Sequence, residues 1–173
     1  MSKSDRQSRG GTRTGGGTAA TAGEGLRIVV DNREQEPYLF QGYEATATRG
    51  TLATGDYSLQ GLTDLVAVER KELGDLMGCL THDRERFTRE LERLRGFEAA
   101  ALVVESSFLE IAGGHYRSKM NPESAVQSLV AIMERFRLPV FFADSRQGGE
   151  YFTFHFLRHY ARRVVARYQA VTR

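Results

Sequence analysis

The chain has 173 residues, a length that suits one domain with its own hydrophobic core. Its net charge of +2 excludes a uniformly basic surface, so a nucleic-acid surface requires local clustering of the 24 Lys and Arg residues. The single cysteine excludes an internal disulfide, and no apolar run approaches the ~20 residues of a membrane span. No signal peptide is visible either. We therefore expect a globular protein that is cytoplasmic and nucleoid-associated, or nuclear, and not secreted or bound to a membrane.

The first 24 residues are mostly Gly, Ser, Thr and Ala, with scattered basic residues. This composition buries little apolar surface, so it predicts a disordered tail. Two roles stay open for the tail: a solvated leader, or a weak contact with phosphates. The folded domain is expected at residues 25–173.

Apolar and β-branched residues then predict four strands, at 26–31, 45–49, 52–59 and 65–70. Pro37 lacks a backbone donor and ends the first strand region. Together these strands predict an antiparallel meander. Acidic residues mark its strand ends, because Asp31 closes the first strand and Asp56 ends the apolar segment at Gly55, which interrupts the third strand.

The second half of the sequence alternates helices with strands. Helices are predicted at 72–80, at 84–95, from 122 and from 150, and strands at 99–104 and 140–143. In the second helix, Phe87, Leu91 and Leu94 form a stripe spaced i, i+4, i+7. Asn121 and Pro122 suit the cap and first turn of the third helix. This order predicts an α/β fold, with a mixed β-sheet flanked by helices.

The segment 65–76 joins a buried strand to a cluster of charges, in the order LVAVERKELGDL. Unpaired buried charge is costly, so charges at the end of such a strand need a reason. Successive strand side chains alternate, which puts Glu69 and Lys71 on one face and Arg70 on the other. Asp75 follows Lys71 by about one helical turn.

Three chain segments thus deliver carboxylates where strands end or begin, through Asp31, Asp56 and Glu69. Divalent-metal sites are built from oxygen ligands in this way. Asp56 and Glu69 are the predicted metal ligands because they sit at neighbouring strand ends. Asp31 is a further ligand or an acid that supports the ligands.

The charged residues also resemble a known signature, carried by Gly55, Asp56, Glu69, Arg70, Lys71 and Asp75. In order and spacing they resemble the GD…ERKxxxD motif of XPF-type structure-specific endonucleases. These belong to the restriction-endonuclease-like, or PD-(D/E)XK, superfamily. The segments VDNRE (30–34) and ALVVE (101–105) resemble further family segments, as do Arg86-Phe87 and Arg93-Leu94. The similarity runs from about residue 26 to about residue 157.

The resemblance implies a restriction-endonuclease-like core and hydrolysis of DNA phosphodiester bonds with Mg²⁺ or Mn²⁺. It implies that the backbone carbonyl of Arg70 completes the metal shell. Lys71 is expected to orient the attacking water or to neutralise charge on the phosphate. Asp75 and Arg70 are expected to position the other catalytic residues by hydrogen bonds.

Arg86 is the expected DNA contact of the basic helix because it matches the family motif. A second interpretation makes these arginines a solvated face with intrahelical pairs, such as Glu85 with Arg89. Arg33 is a further candidate for DNA contact, or a structural residue at the edge of the site. For Glu105, a functional and a structural role both stay open.

XPF-type nucleases usually carry a helix-hairpin-helix domain after the nuclease core, and the sequence to residue 173 has no segment for one. DNA recognition is then expected from this domain, from a partner subunit or from a homodimer. The wide apolar surface of the C-terminal helices is the predicted contact with a second copy of the chain or with a partner subunit.

Three functions are consistent with these patterns. The first is an endonuclease on branched, flap or fork DNA in repair or recombination. The second is a non-catalytic DNA-binding or scaffolding subunit with the same fold, and the third is a nuclease for RNA or single strands. The intact motif favours an enzyme, since inactive members of such families typically show eroded motifs.

Overall fold

Residues 25–172 are described by a computed structural model, and the predicted tail at 1–24 lies outside them. Six strands and five helices follow one another in this range. They are β1 (Leu26–Asp31), β2 (Ala45–Gly50), β3 (Tyr57–Leu59), β4 (Val66–Lys71), α1 (Leu73–Leu80), α2 (Arg84–Arg95), β5 (Ala99–Val104), α3 (Phe108–Ala112), α4 (Pro122–Phe136), β6 (Val140–Phe142) and α5 (Arg146–Thr172).

The strands form one mixed sheet in the order β2-β1-β3-β4-β5-β6, as the fold-class prediction requires. The predicted antiparallel meander is wrong for the first pair, because β1 and β2 run parallel. Residues 32–44 supply the dozen or so residues that a parallel crossover needs. The predicted strand at 52–59 shrinks to β3, since Gly55 turns the chain with a φ of +80°.

Helices cover the sheet on both sides. One hydrophobic core lies between the sheet and helices α1, α2 and α4, and it includes Ala67, Leu102 and Val104. The other lies beneath α5 and includes Val66 and Val68. Neighbouring residues of β4 therefore point into different cores, as strand alternation requires.

The helices begin and end largely where the sequence predicts. The Asn121 side chain accepts a hydrogen bond from the backbone of Ser124 and caps α4. The short helix α3 was not predicted, although Ser107 and Glu110 form its capping box. No helix of residues 25–172 is long and apolar enough to cross a membrane.

Helix α5 begins at Arg146, before Gly148 and Gly149, and not after them as predicted. Both glycines are required by close packing rather than by a break in the helix. A Cβ atom on Gly148 would lie 1.9 Å from the carbonyl oxygen of Ala143, and one on Gly149 would lie 2.1 Å from the Tyr38 hydroxyl.

The strand directions bring several chain segments to one edge of the sheet. β1 and β4 end at this edge and β3 begins there, because β3 is antiparallel to both. The Asp31 N–H donates to the carbonyl of Asp56 at 2.9 Å, and the Glu105 N–H donates to the carbonyl of Lys71 at 2.9 Å. The edge thus collects the acidic residues that the sequence singled out.

Candidate active site

A cleft of about 470 Å³ opens at this edge of the sheet. Its lining is almost wholly polar and comprises Arg33, Glu34, Gln35, Glu36, Asp56, Arg70, Lys71, Glu72 and Asp75. Five predicted site residues therefore meet in one concave space, namely Arg33, Asp56, Arg70, Lys71 and Asp75. Glu69 lies directly behind it, on the same face of β4 as Lys71.

Asp56 is fixed in the cleft by backbone hydrogen bonds. Its Oδ2 accepts from the N–H of Arg70 at 2.7 Å, and its own N–H donates to the carbonyl of Val68 at 2.9 Å. Burial raises the pKa of Asp56 to about 6, against the opposing effects of the Arg70 N–H and of Lys71. The carboxylate is therefore held in place, but its charge is poorly compensated.

Glu69 is the most deeply placed acid of the site, with 2 % of its surface exposed. The Lys71 ammonium donates to its Oε1. Its Oε2 is buried and has no hydrogen-bond partner within residues 25–172. Burial raises the pKa of Glu69 well above its ordinary range, and the neighbouring Asp56 raises it further. A buried acceptor without a donor is costly unless something binds it.

Lys71 lies between two acids on the α2 side of the sheet. Its Nζ bonds Glu69 and lies 3.9 Å from the carboxylate of Glu90, which projects from α2. The ammonium also lies 5.6 Å from the centre of the Phe87 ring. Burial lowers the pKa of Lys71, but the two carboxylates outweigh it and the net pKa is raised. Lys71 is therefore a fixed positive charge at the cleft.

Asp56 and Glu69 fit a divalent cation by their chemistry. Both offer carboxylate oxygens, the ligands that Mg²⁺ and Mn²⁺ prefer. The unpaired Oε2 of Glu69 and the raised pKa values of both acids indicate that Lys71 alone does not compensate the charge of the two carboxylates. Within residues 25–172, no three His, Cys, Asp or Glu side chains converge as a ligand cluster.

Asp31 is not among the residues that line the cleft. Its Oδ1 accepts from the backbone N–H and the side chain of Arg33, and its Oδ2 accepts from Arg33 and from the backbone N–H of Leu52. Both oxygens are therefore used to anchor the loops behind Asp56. A metal-ligand role for Asp31 stays a prediction, and the contacts favour its alternative role in supporting the ligands.

The Arg70 side chain points to the opposite face of the sheet from Glu69 and Lys71, as strand alternation predicts. It is 7 % exposed and forms a fork with Glu105, with N–O distances of 2.7 and 2.9 Å. The Nη2 atom of this fork also reaches Glu72 at 2.7 Å, and Nη1 lies 3.3 Å from Glu34. All three guanidinium nitrogens are thus engaged by carboxylates, while the backbone N–H of Arg70 donates to Asp56.

Two residues of this network gave no signal in the sequence. The Tyr38 hydroxyl donates to Glu105 at 2.7 Å across 67 residues of sequence, and its ring stacks on Tyr57 at 4.9 Å. Arg146 lies 3.8 Å from Glu105 and 5.2 Å from the centre of the Tyr38 ring. Burial raises the pKa of Glu105, but hydrogen bonds from Arg70 and Tyr38 outweigh it and lower the net pKa.

The remaining predicted residues are exposed. Asp75 lines the cleft but makes no hydrogen bond or ion pair with the described part of the chain, so the expected hydrogen bonds from Asp75 are not seen. The Arg33 side chain is 71 % exposed and pairs with Asp31. Arg86 is 72 % exposed and pairs with Asp83 at 3.0 Å.

This architecture, a mixed sheet flanked by helices with acids and a lysine at one strand end, is a restriction-endonuclease-like fold. The ERCC4 domain matches residues 30–156. The chain belongs to the ERCC4 domain family. Membership supports a DNA nuclease or DNA repair function at the level of class, and nucleases of this family typically use divalent metals.

Two solved structures share the fold. XPF from Aeropyrum pernix matches with a TM-score of 0.61 at 20 % identity, over 76 % of this chain and 60 % of that one. XPF from the same organism in complex with DNA matches with a TM-score of 0.62 at 20 % identity, over 79 % and 66 %. The chain thus spans less than two thirds of each. The comparison with curated proteins gave no significant match.

Proposed function

We propose that this protein is a divalent-metal-dependent DNA endonuclease that hydrolyses phosphodiester bonds, with branched, flap or fork DNA as substrate. The observation that carries the proposal is the buried, unpaired Oε2 of Glu69 beside Asp56. Two poorly compensated carboxylates next to a fixed ammonium suit a centre that is completed by a cation and a phosphate.

Asp56 and Glu69 would hold the ion, Mg²⁺ or Mn²⁺, with the Arg70 carbonyl as a further ligand. When bound, such an ion neutralises phosphate charge and lowers the pKa of water. Lys71 offers hydrogen bonds to the attacked phosphate and compensates the charge that develops on it. Asp75, exposed at the mouth of the cleft, is placed to orient the water or Lys71. Asp31 and Arg70 keep the ligands aligned through the loops that they anchor.

DNA is the proposed partner, and Arg33 and Arg86 are proposed to contact its backbone. The solved XPF relative in complex with DNA supports this choice. A homodimer or partner contact is proposed along α5, where Tyr151, Val165, Tyr168 and Val171 are exposed. The proposed location is the cytoplasm, with the nucleoid, or the nucleus.

The decisive experiment is cleavage of labelled flap and fork DNA with Mg²⁺, Mn²⁺ or EDTA. Wild type is compared with Glu69→Gln and Lys71→Ala. The matched controls are Glu44→Gln and Lys119→Ala, which change exposed residues outside the cleft. We expect metal-dependent cutting by wild type and both controls, and none by the two site variants, with circular dichroism melting to verify folding.

Other outcomes discriminate the alternatives. Binding without cutting under every metal would support a non-catalytic scaffold. Cutting that survives both site substitutions would place the active site elsewhere. A panel of duplex, flap, fork, four-way junction, single-stranded DNA and RNA tests substrate structure, and equal cutting of all of them would remove the structure-specific assignment.

A further inference from the structure

The sheet is only partly covered on the side that carries Glu69 and Lys71. β4 and β5 pack there against helices, but the neighbouring side chains of β1 and β2 on this side include the exposed Thr46 and Thr48. A cavity of about 260 Å³ lies over these two threonines. We call the surface formed by these open strands and by the flank of α2 that carries Glu90 the trough, and it lies on the same side of the sheet as Glu69 and Lys71.

Helix α2 carries different charged residues on the flank that faces α4 and on the opposite flank. Glu92 lies 3.6 Å from Arg135 of α4, so its flank faces α4. Glu90 marks the other flank, because its carboxylate approaches the cleft lysine at 3.9 Å. At 3.6 residues per turn, Arg86 and Arg93 lie about 40° and about 60° from Glu90 around the helix axis. Both arginines therefore stand on the trough flank.

These two arginines are available to a ligand. The Arg93 side chain is exposed and makes no hydrogen bond or ion pair within residues 25–172. Arg86 is 72 % exposed and holds only Asp83. The expected pair between Glu85 and Arg89 is absent from the described range, so the helix does not neutralise its own arginines there.

The spacing of the arginines matches a nucleic-acid backbone. Seven residues of helix separate Arg86 from Arg93, a rise of about 10 Å. One strand of duplex DNA places about three charges along that length, at roughly 3.4 Å of axis per phosphate. A helix edge with two exposed cations at this separation is complementary in charge to one strand.

We propose that the trough receives the backbone of a nucleic-acid duplex, with Arg86 and Arg93 on phosphates of one strand that lie about three steps apart. The inference rests on the proposed function and deepens it by assigning the face of the domain that carries the substrate arm. A duplex is favoured over a single strand because this face of β1 and β2 carries Arg27, Val29, Thr46 and Thr48, with no aromatic ring on which bases can stack.

Arg93→Glu tests the trough, with Arg95→Glu as its matched control. Both arginines lie in the last turn of α2, but Arg95 lines the cavity on the far flank with Phe97 and Pro139. Binding of a fluorescent 20-base-pair DNA duplex is followed by anisotropy in EDTA, which prevents cutting. We expect Arg93→Glu to raise Kd about tenfold and Arg95→Glu less than about twofold.

A salt series gives a second readout with the neutral variants Arg93→Gln and Arg95→Gln. Loss of one phosphate contact should reduce the slope of log Kd against log salt by about 0.9 for Arg93→Gln, and leave it unchanged for Arg95→Gln. Equal effects of the two positions would overturn the proposal, because they would reflect net charge alone. Weakened binding of a 20-nucleotide single strand, with duplex binding unchanged, would also overturn it.

The same experiment separates this inference from the proposed function. If wild type cuts with metal while Arg93→Glu binds and cuts as wild type does, the trough assignment fails and the endonuclease assignment stands. If wild type neither binds nor cuts any substrate of the panel, both fail. Unchanged melting temperatures of the variants show that the effect on Kd is local.

Discussion

Replacing Asp56 by Asn should make the chelated protein more stable while removing its activity. Burial raises the pKa of Asp56 to about 6, against an ordinary value of 3.8. At about 1.4 kcal/mol per pKa unit, the ionised carboxylate costs the folded state roughly 3 kcal/mol. Solvent at the mouth of the cleft screens part of this charge. Since an amide oxygen still accepts the hydrogen bond from the Arg70 N–H, we expect a gain of about 1–3 kcal/mol.

The gain should depend on pH with a definite sign. The folded pKa of Asp56 lies above the unfolded value, so the charge penalty is absent below a pH of 3.8, grows above it and is complete above about 6. The gain in the free energy of unfolding from Asp56→Asn should therefore be largest near pH 8 and should be mostly lost near pH 4.

Thermal unfolding in EDTA, followed by circular dichroism, measures this effect. For a domain of this size the melting temperature should rise by about 2–12 °C near pH 8. Asp75→Asn is the control, because Asp75 lines the same cleft but is exposed and unpaired in the described structure. Added Mn²⁺ should stabilise wild type and not Asp56→Asn. Destabilisation near pH 8, or an equal gain near pH 4, would refute the reasoning.

Three further substitutions test the buried network on the other face of β4. Arg70→Ala leaves the carboxylates of Glu34 and Glu105 buried without their cation, so the free energy of unfolding in urea should fall by about 3–5 kcal/mol. A decrease below about 1 kcal/mol would contradict a stabilising role of this network. Glu105→Gln should destabilise by about 1–3 kcal/mol near neutral pH. Because the folded pKa of Glu105 lies below its ordinary 4.5, this difference should shrink as the pH falls through and below that value, and a constant difference would count against the pairing. Gly149→Ala places a Cβ atom 2.1 Å from the Tyr38 hydroxyl and should lower the free energy of unfolding by about 1–3 kcal/mol in the same urea assay. Its control is Gly42→Ser, because a Cβ atom on Gly42 meets no atom within 4 Å and the substitution therefore tests only the backbone strain of a φ of +85°.

The site was predictable where local rules govern it. Strand alternation places Glu69 and Lys71 on one face and Arg70 on the other, and the end of β1 marks where Asp31 lies. The cap at Asn121 was equally local. Each of these inferences needed only neighbours along the chain, and the structure agrees with all of them.

Contacts between distant segments were not predictable in this way. A parallel and an antiparallel β1–β2 pair bury the same alternating residues, so the pattern does not distinguish them. The bond from Tyr38 to Glu105 joins residues 67 positions apart, and no periodicity announces it. Glycine has a low helix propensity, so Gly148 predicts a helix break. The actual reason for this glycine is its tight approach to Ala143, which is a property of the packed structure and not of the local sequence.

The alternation of side chains along β4 also places the proposed catalytic residues and the stabilising ion pairs on opposite faces of the sheet. Ala67, Glu69 and Lys71 face the α2 side, where the proposed metal centre lies, while Arg70 belongs to an ion-pair network on the other side of the sheet. Glu69→Gln is therefore expected to leave the fork between Arg70 and Glu105 intact. Under the proposed function, this variant would keep its shape and bind substrate without cutting it, and it would serve as a probe of the substrate's position.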